Sequence, residues 1–187
     1  MAEQSNLVRL QNEYVVEIDW RGFELHPETP PGGRPIAERV PPERLPQLKR
    51  GLREFSTSFG VTDLELPDHM PNTRRALAIA EYARELGKLE ALRDAAMHAH
   101  WREGKNLEDE QDLRDIALRA GLEPGAALQA MGAERYLQRV DAIREEATQI
   151  GVTGIPTLVI GRYGVVGCQP YEVITQAADR AGARRRG

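Results

Sequence analysis

Gly151–Pro170, GVTGIPTLVIGRYGVVGCQP, limits the fold more than any other stretch of this chain. Ile155-Pro156 closes a tight turn, where a cis X-Pro bond serves well because it costs little and reverses the chain sharply. Thr157–Ile160 then forms a short apolar run, rich in β-branched residues and bounded by turn residues. That is the pattern of a strand covered on both faces. Gly161-Arg162 is a two-residue turn, Tyr163–Val166 the returning strand, and Pro170 the start of a helix.

The rest of the chain alternates a little strand with much helix. Residues 2–13 place Leu7 and Leu10 on one helical face. From Val15 to Leu25, Val16, Ile18 and Trp20 alternate with Glu17, Asp19 and Arg21, which predicts a strand with one wet face. Charge at alternate positions discourages stray pairing, so an edge strand is expected. A breaker-rich loop, Pro27 to Pro35, leads to Pro41-Pro42 at a helix entrance. There Leu45, Leu48, Leu52 and Phe55 step by three and four. After a connector over Gly60–Met70, helices are predicted from Pro71 to the Gly87 stop, over Leu89–Glu103, Glu108–Ala120, Pro124–Met131 and Ala133–Ile150. Ala76, Leu77, Ala80, Ala83 and Leu86 should line one face of the first of these. Tyr136, Leu137, Val140, Ile143 and Ala147 should face the core from the last.

Composition narrows the function classes. The chain has 187 residues, 41% hydrophobic and 29% charged, with a net charge of −4. That suits one soluble domain with an insertion, and gives no electrostatic reason to expect nucleic acid. The basic cluster Arg184-Arg185-Arg186 reads as a frayed, solvated terminus. No window approaches the ~18 apolar residues of a membrane span, and the first residues carry no apolar core of signal-peptide length. With a single cysteine, the expected compartment is the cytoplasm.

The Gly-Val-Thr-Gly-Ile-Pro-Thr turn, the hairpin, and Gly-Cys-Gln-Pro opening a last helix resemble the cis-proline hairpin of thioredoxin-fold proteins. More narrowly, the chain is similar to the DsbA-like branch. That branch includes FrnE-type oxidoreductases, 2-hydroxychromene-2-carboxylate isomerases and kappa-class glutathione transferases. Val15–Pro27 and the helices from Pro71 onward take part in the likeness. It implies an α/β fold: a thioredoxin-like domain from residues 1–61 and 151–187, with a helical insertion over 62–150. It also implies thiol–disulfide chemistry, with a protein thiol or disulfide or glutathione as partner. The redox-active relatives begin with a strand and a Cys-x-x-Cys at a helix start, and this chain has neither. The sheet should then show a gap beside Thr157–Ile160. It would be resolved by a start upstream of Met1, by a second chain, or by strands closing up.

The resemblance assigns Thr153, Gly154, Ile155 and Pro156 to the substrate site, where backbone groups beside the proline pair with an extended peptide or glutathione. It places Gly167, Cys168 and Gln169 at the turn that grips the γ-glutamyl end of glutathione in kappa-class proteins. Cys168 precedes a helix N-terminus, which stabilises a thiolate. It is either a monothiol that is glutathionylated or paired between chains of a homodimer, or a small residue filling a slot. Exchange within one chain needs a second cysteine, so no catalytic residue is assigned. Two functions follow: an oxidoreductase whose reactive half lies outside this sequence, or a redox-inactive module that keeps the cis-proline groove.

The remaining candidates point to structure. His98 and His100 lie two apart on a helix and face different sides. His26 and His69 lack ligand spacing, so no metal site is expected. Trp20 and Trp101 read as core anchors, and Glu108-Asp109-Glu110 as the solvated first turn of a helix.

Overall fold

The computed structural model describes residues 4–187 and divides into two compact units, Met1–Arg21 with Ala147–Gly187, and Gly22–Glu146. Residues 22–61, expected with the first unit, group with the helices of the second. No helix among the described residues is long and apolar enough to cross a membrane.

In the first unit, α1 (Gln4–Glu13) buries Leu7 and Leu10, the two positions its spacing marked. Residues 2 and 3 of the expected helix lie outside the described residues. The hairpin forms where expected, as β3 (Thr157–Ile160) and β4 (Tyr163–Val166), antiparallel with Thr157 opposite Val166 and Ile160 opposite Tyr163. Gly161 sits at φ 60°, the left-handed geometry that a two-residue loop needs at its first position. The last helix, α8, spans Tyr171–Arg180 with Pro170 before it. Leu10, Tyr14, Tyr171, Ile174 and Ala178 form a buried cluster, against which Val16, Leu158 and Ile160 pack. This cluster covers one face of β3 only. Val159 on the other face is 53% exposed, which corrects the expectation of a strand covered on both sides.

Two further expectations change. Val15–Leu25 forms no ladder; the only pairing recorded near it is an isolated bridge between Tyr14 and Arg185. Its alternation survives in burial, since Val16, Ile18 and Trp20 are half-buried while Glu17, Asp19 and Arg21 are exposed. The periodicity recorded a one-sided environment, and among the described residues no partner strand lies alongside to convert it into a ladder. The arginine tail is anchored instead of frayed. The Val15 N–H donates to the Arg184 carbonyl at 2.8 Å, and the Arg186 N–H to the Glu13 carbonyl at 2.8 Å. The Arg185 guanidinium pairs with Asp179 at 2.8 Å and lies 5.0 Å over the Tyr14 ring.

The second unit contains a two-residue pairing of β1 (Arg34–Pro35) with β2 (His69–Met70), and α2 (Leu45–Ser58) between them. It continues with α3 (Arg74–Glu85), α4 (Leu89–Glu103), α5 (Glu110–Arg119) and α6 (Pro124–Ala130). Most of α7 (Glu134–Gln149) also belongs to it. Ile79, Ala83, Leu92, Leu113, Ile116, Leu122 and Ala127 centre its core. Small residues on α3 and α6 let helices approach closely; Ala78, Ala83 and Ala127 are fully buried. Burial on α3 runs through Ala78, Ile79, Glu81 and Ala83, while Leu86 is 49% exposed. Ala83 lies in the core, and Ala76 and Ala80 pack against it. The spacing thus marked the inward face except at Leu86, which falls just past the helix end.

Polar groups close this unit. The Arg74 guanidinium donates two bonds to Asp141, at 2.7 and 2.8 Å, and one to Glu24 at 3.1 Å. Arg144 reaches both carboxylates at 3.3 Å. Glu24 is only 4% exposed, and a carboxylate so deeply buried requires charged partners. The acidic run caps its own helix and ties distant segments to it. Asp109 caps α5 by accepting from the Gln111 and Asp112 N–H groups, Glu108 accepts from the Gly32 and Asn72 N–H groups, and Glu110 pairs with Arg75.

Candidate functional site

The site is built by the turn that enters β3 and the turn that leaves β4. The Ile155–Pro156 bond is cis. The Thr157 hydroxyl donates to the Gly154 carbonyl at 2.7 Å, a side-chain bond that fixes the turn locally. The Gly167 N–H donates to the Pro156 carbonyl at 2.8 Å, extending the hairpin by one rung beyond Thr157 and Val166. That rung brings together the two groups the sequence assigned separately, Thr153–Pro156 and Gly167–Gln169.

The second turn is held from both sides. The Gln169 amide donates to the Val166 carbonyl at 2.9 Å, and the Asn6 amide donates to the Gln169 carbonyl at 3.2 Å. Asn6 carried no signal in the sequence, because its partner lies at the far end of the chain. Cys168 is half-buried next to this turn, and the chain holds no second cysteine with which it could bridge.

The first turn presents backbone instead of side chains. Thr153 and Ile155 are exposed, Ile155 by 55%, and among the described residues neither makes a hydrogen bond. Exposed donors and acceptors beside a strand start can receive an extended segment by strand addition. Among the described residues β3 pairs with β4 alone, so its second edge carries no ladder either. The strands on either side of the expected gap therefore do not close up by pairing.

The helix that follows is fixed electrostatically to α1. The Tyr171 hydroxyl donates to Glu13 at 2.9 Å, and the Arg9 guanidinium lies 4.0 Å over its ring. Burial and the Glu13 bond push the Tyr171 hydroxyl up to about 12, so it stays a neutral donor throughout the physiological range.

The histidines and tryptophans lie elsewhere. The His98 ring is 3.0 Å from Glu103, and His100 Nδ1 lies 3.1 Å from the Lys105 carbonyl. Burial lowers the His100 pKa, which favours the neutral ring. No group of three or more His, Cys, Asp or Glu side chains suited to a metal ion occurs among the described residues. Trp20 and Trp101 are half-buried.

Comparison with known proteins agrees with this architecture. The crystal structure of a probable DsbA oxidoreductase, SCO1869 from Streptomyces coelicolor, is 26% identical with a TM-score of 0.85. The likeness covers 97% of this chain and 83% of that one. A 2-hydroxychromene-2-carboxylate isomerase structure shares the fold, with a TM-score of 0.74 at 22% identity over 96% of this chain and 87% of that one. The uncharacterized protein YwbO of Bacillus subtilis (strain 168) is 24% identical over 166 residues, 87% of this chain and 80% of its own length. A family model described as the DSBA-like thioredoxin domain matches residues 1–179, and the chain belongs to that family.

Proposed function

We propose that this chain is the substrate-holding part of a DsbA-like thiol–disulfide oxidoreductase, and that these 187 residues by themselves bind without turning over. The ligand is an extended peptide or glutathione lying along Thr153–Pro156, with Gly167, Cys168 and Gln169 at its side. One observation carries this reading: the Thr153 and Ile155 backbone groups have no hydrogen-bond partner among the described residues, at the mouth of a hairpin pinned by the Gly167–Pro156 bond.

The chemistry of Cys168 follows from number. A thiolate that attacks a disulfide forms a mixed disulfide and expels one thiol; a second thiolate must then attack to release the product and leave an oxidised pair. This chain supplies no second thiolate. A mixed disulfide at Cys168 can then be resolved only by the external dithiol, which gains nothing over its own direct attack on the substrate. Insulin reduction with dithiothreitol is therefore expected at background, unchanged in Cys168→Ser. A rate well above background that Cys168→Ser abolishes would refute this assignment.

Calorimetry with oxidised glutathione and with a short extended peptide tests binding. Heat of binding is expected at millimolar ligand, kept in Cys168→Ser and lost in Ile155→Pro, which removes one backbone donor. Absence of heat from both ligands at roughly 10 mM, weaker than the ~4 kcal/mol of a millimolar complex, counts against the reading.

A second reading is favoured by the one-sided pairing of β3: an enzyme completed by a strand and a Cys-x-x-Cys encoded upstream of Met1. An in-frame strand with that motif supports it, and a stop codon with no such motif removes it.

A further inference from the structure

We propose that α2 is the contact through which two copies of this chain associate, antiparallel, with Leu48 of each copy seated over Gly51 of the other. The helix turns an apolar strip outward: Leu48 is 41% exposed and Phe55 49% exposed, with Gly51 between them on the same face. A glycine inside a helix is unfavourable, and it is retained where another backbone must come close. Among the described residues nothing makes that demand, since a Cβ at Gly51 would meet no atom within 4 Å. The notch is therefore open to something outside the chain.

Charge selects a second copy. On one flank of α2 the cations are used internally, Lys49 with Asp68 at 3.2 Å and Arg53 with Glu65 at 3.1 Å. On the outward flank Arg44, the residue just before α2, and Glu54 within it are exposed and make no ion pair among the described residues. In a two-fold antiparallel pair, residues equidistant from the axis face each other. With the axis between Lys49 and Arg50, Leu48 faces the partner's Gly51 and Arg44 faces the partner's Phe55. The Arg44 cation then lies over an aromatic ring, beside the partner's Glu54. One helical face thus supplies knob and notch, cation and ring, and both signs of charge.

A contact built on one helix is at the small end of stable interfaces, so reversible association is expected. Sedimentation velocity on the full chain between roughly 5 and 500 µM should show a concentration-dependent monomer–dimer equilibrium. Gly51→Gln fills the notch while favouring helix in the monomer. It should weaken the dimer at least tenfold with no loss of far-ultraviolet ellipticity, and Leu48→Glu should do the same. A monomer at every concentration overturns the proposal. So does a dimer indifferent to both substitutions, or one abolished instead by Val159→Lys, which would place the contact on the hairpin.

Discussion

Tyr14→Ala is expected to destabilise the first unit by about 3–5 kcal/mol, the range for deleting a large aromatic from a filled core. Tyr14 is fully buried among Leu10, Tyr171, Ile174 and Ala178, and its hydroxyl donates to Asp179 at 2.8 Å. Its backbone carries a bridge to Arg185, and the Arg186 side chain donates to its carbonyl at 3.0 Å. Burial raises the Tyr14 pKa, with the Asp179 bond adding to it, so the hydroxyl is a neutral donor at neutral pH. Tyr14→Phe keeps the ring and loses only that bond, and about 1 kcal/mol is expected. Urea unfolding followed by hydrogen exchange on α1 and α8 reads both values. A Tyr14→Ala cost no larger than that of Tyr14→Phe would show that the ring does not anchor the unit.

Arg74→Leu should destabilise the helical unit by about 2–4 kcal/mol. That is less than the 3–5 kcal/mol of a fully orphaned buried charge, because Arg144 stays within 3.3 Å of Glu24 and Asp141. The effect carries a pH signature. The Arg74 bond is the main reason the Asp141 carboxyl sits below its ordinary 3.8, with the Arg74 and Arg144 charges assisting. A depressed carboxyl contributes stability above its unfolded pKa and loses it as pH falls through the folded value. The difference between wild type and Arg74→Leu should therefore be constant from about pH 5 to 8 and shrink below about pH 4. Urea midpoints across that range measure it, and a difference independent of pH down to 2 would assign the loss to packing alone.

What could be read from the sequence was whatever the chain encodes locally. Thr157–Ile160 and Tyr163–Val166 carried their own punctuation in Gly161-Arg162, and both strands form at those residues. Leu89–Glu103, bounded by Gly104, is likewise the helix observed. Contacts between distant residues left no comparable trace. Arg34-Pro35 against His69-Met70 is too short to show a period. Glu24, Arg74 and Asp141 come from three separate segments, and no local pattern joins them. Val15–Leu25 marks the boundary between the two kinds of information. Its alternation recorded which side faces inward, while strand formation depends on a neighbour that no local pattern specifies. At the site, the resemblance chose Thr153–Pro156 and Gly167–Gln169; the Gly167–Pro156 bond that joins them is a product of register, visible only once the hairpin is paired.

The bridge between Tyr14 and Arg185 has a consequence for biosynthesis. The residues on its two sides are far apart in the chain, with all of Gly22–Glu146 made in between. At roughly 5–20 residues per second, the apolar face of α1 waits on the order of ten seconds for α8 and the arginine tail. Throughout that interval Leu7, Leu10 and Tyr14 are unsheltered on a nascent chain. A holding chaperone would find its target there, and emergence of α8 would be the event that retires it.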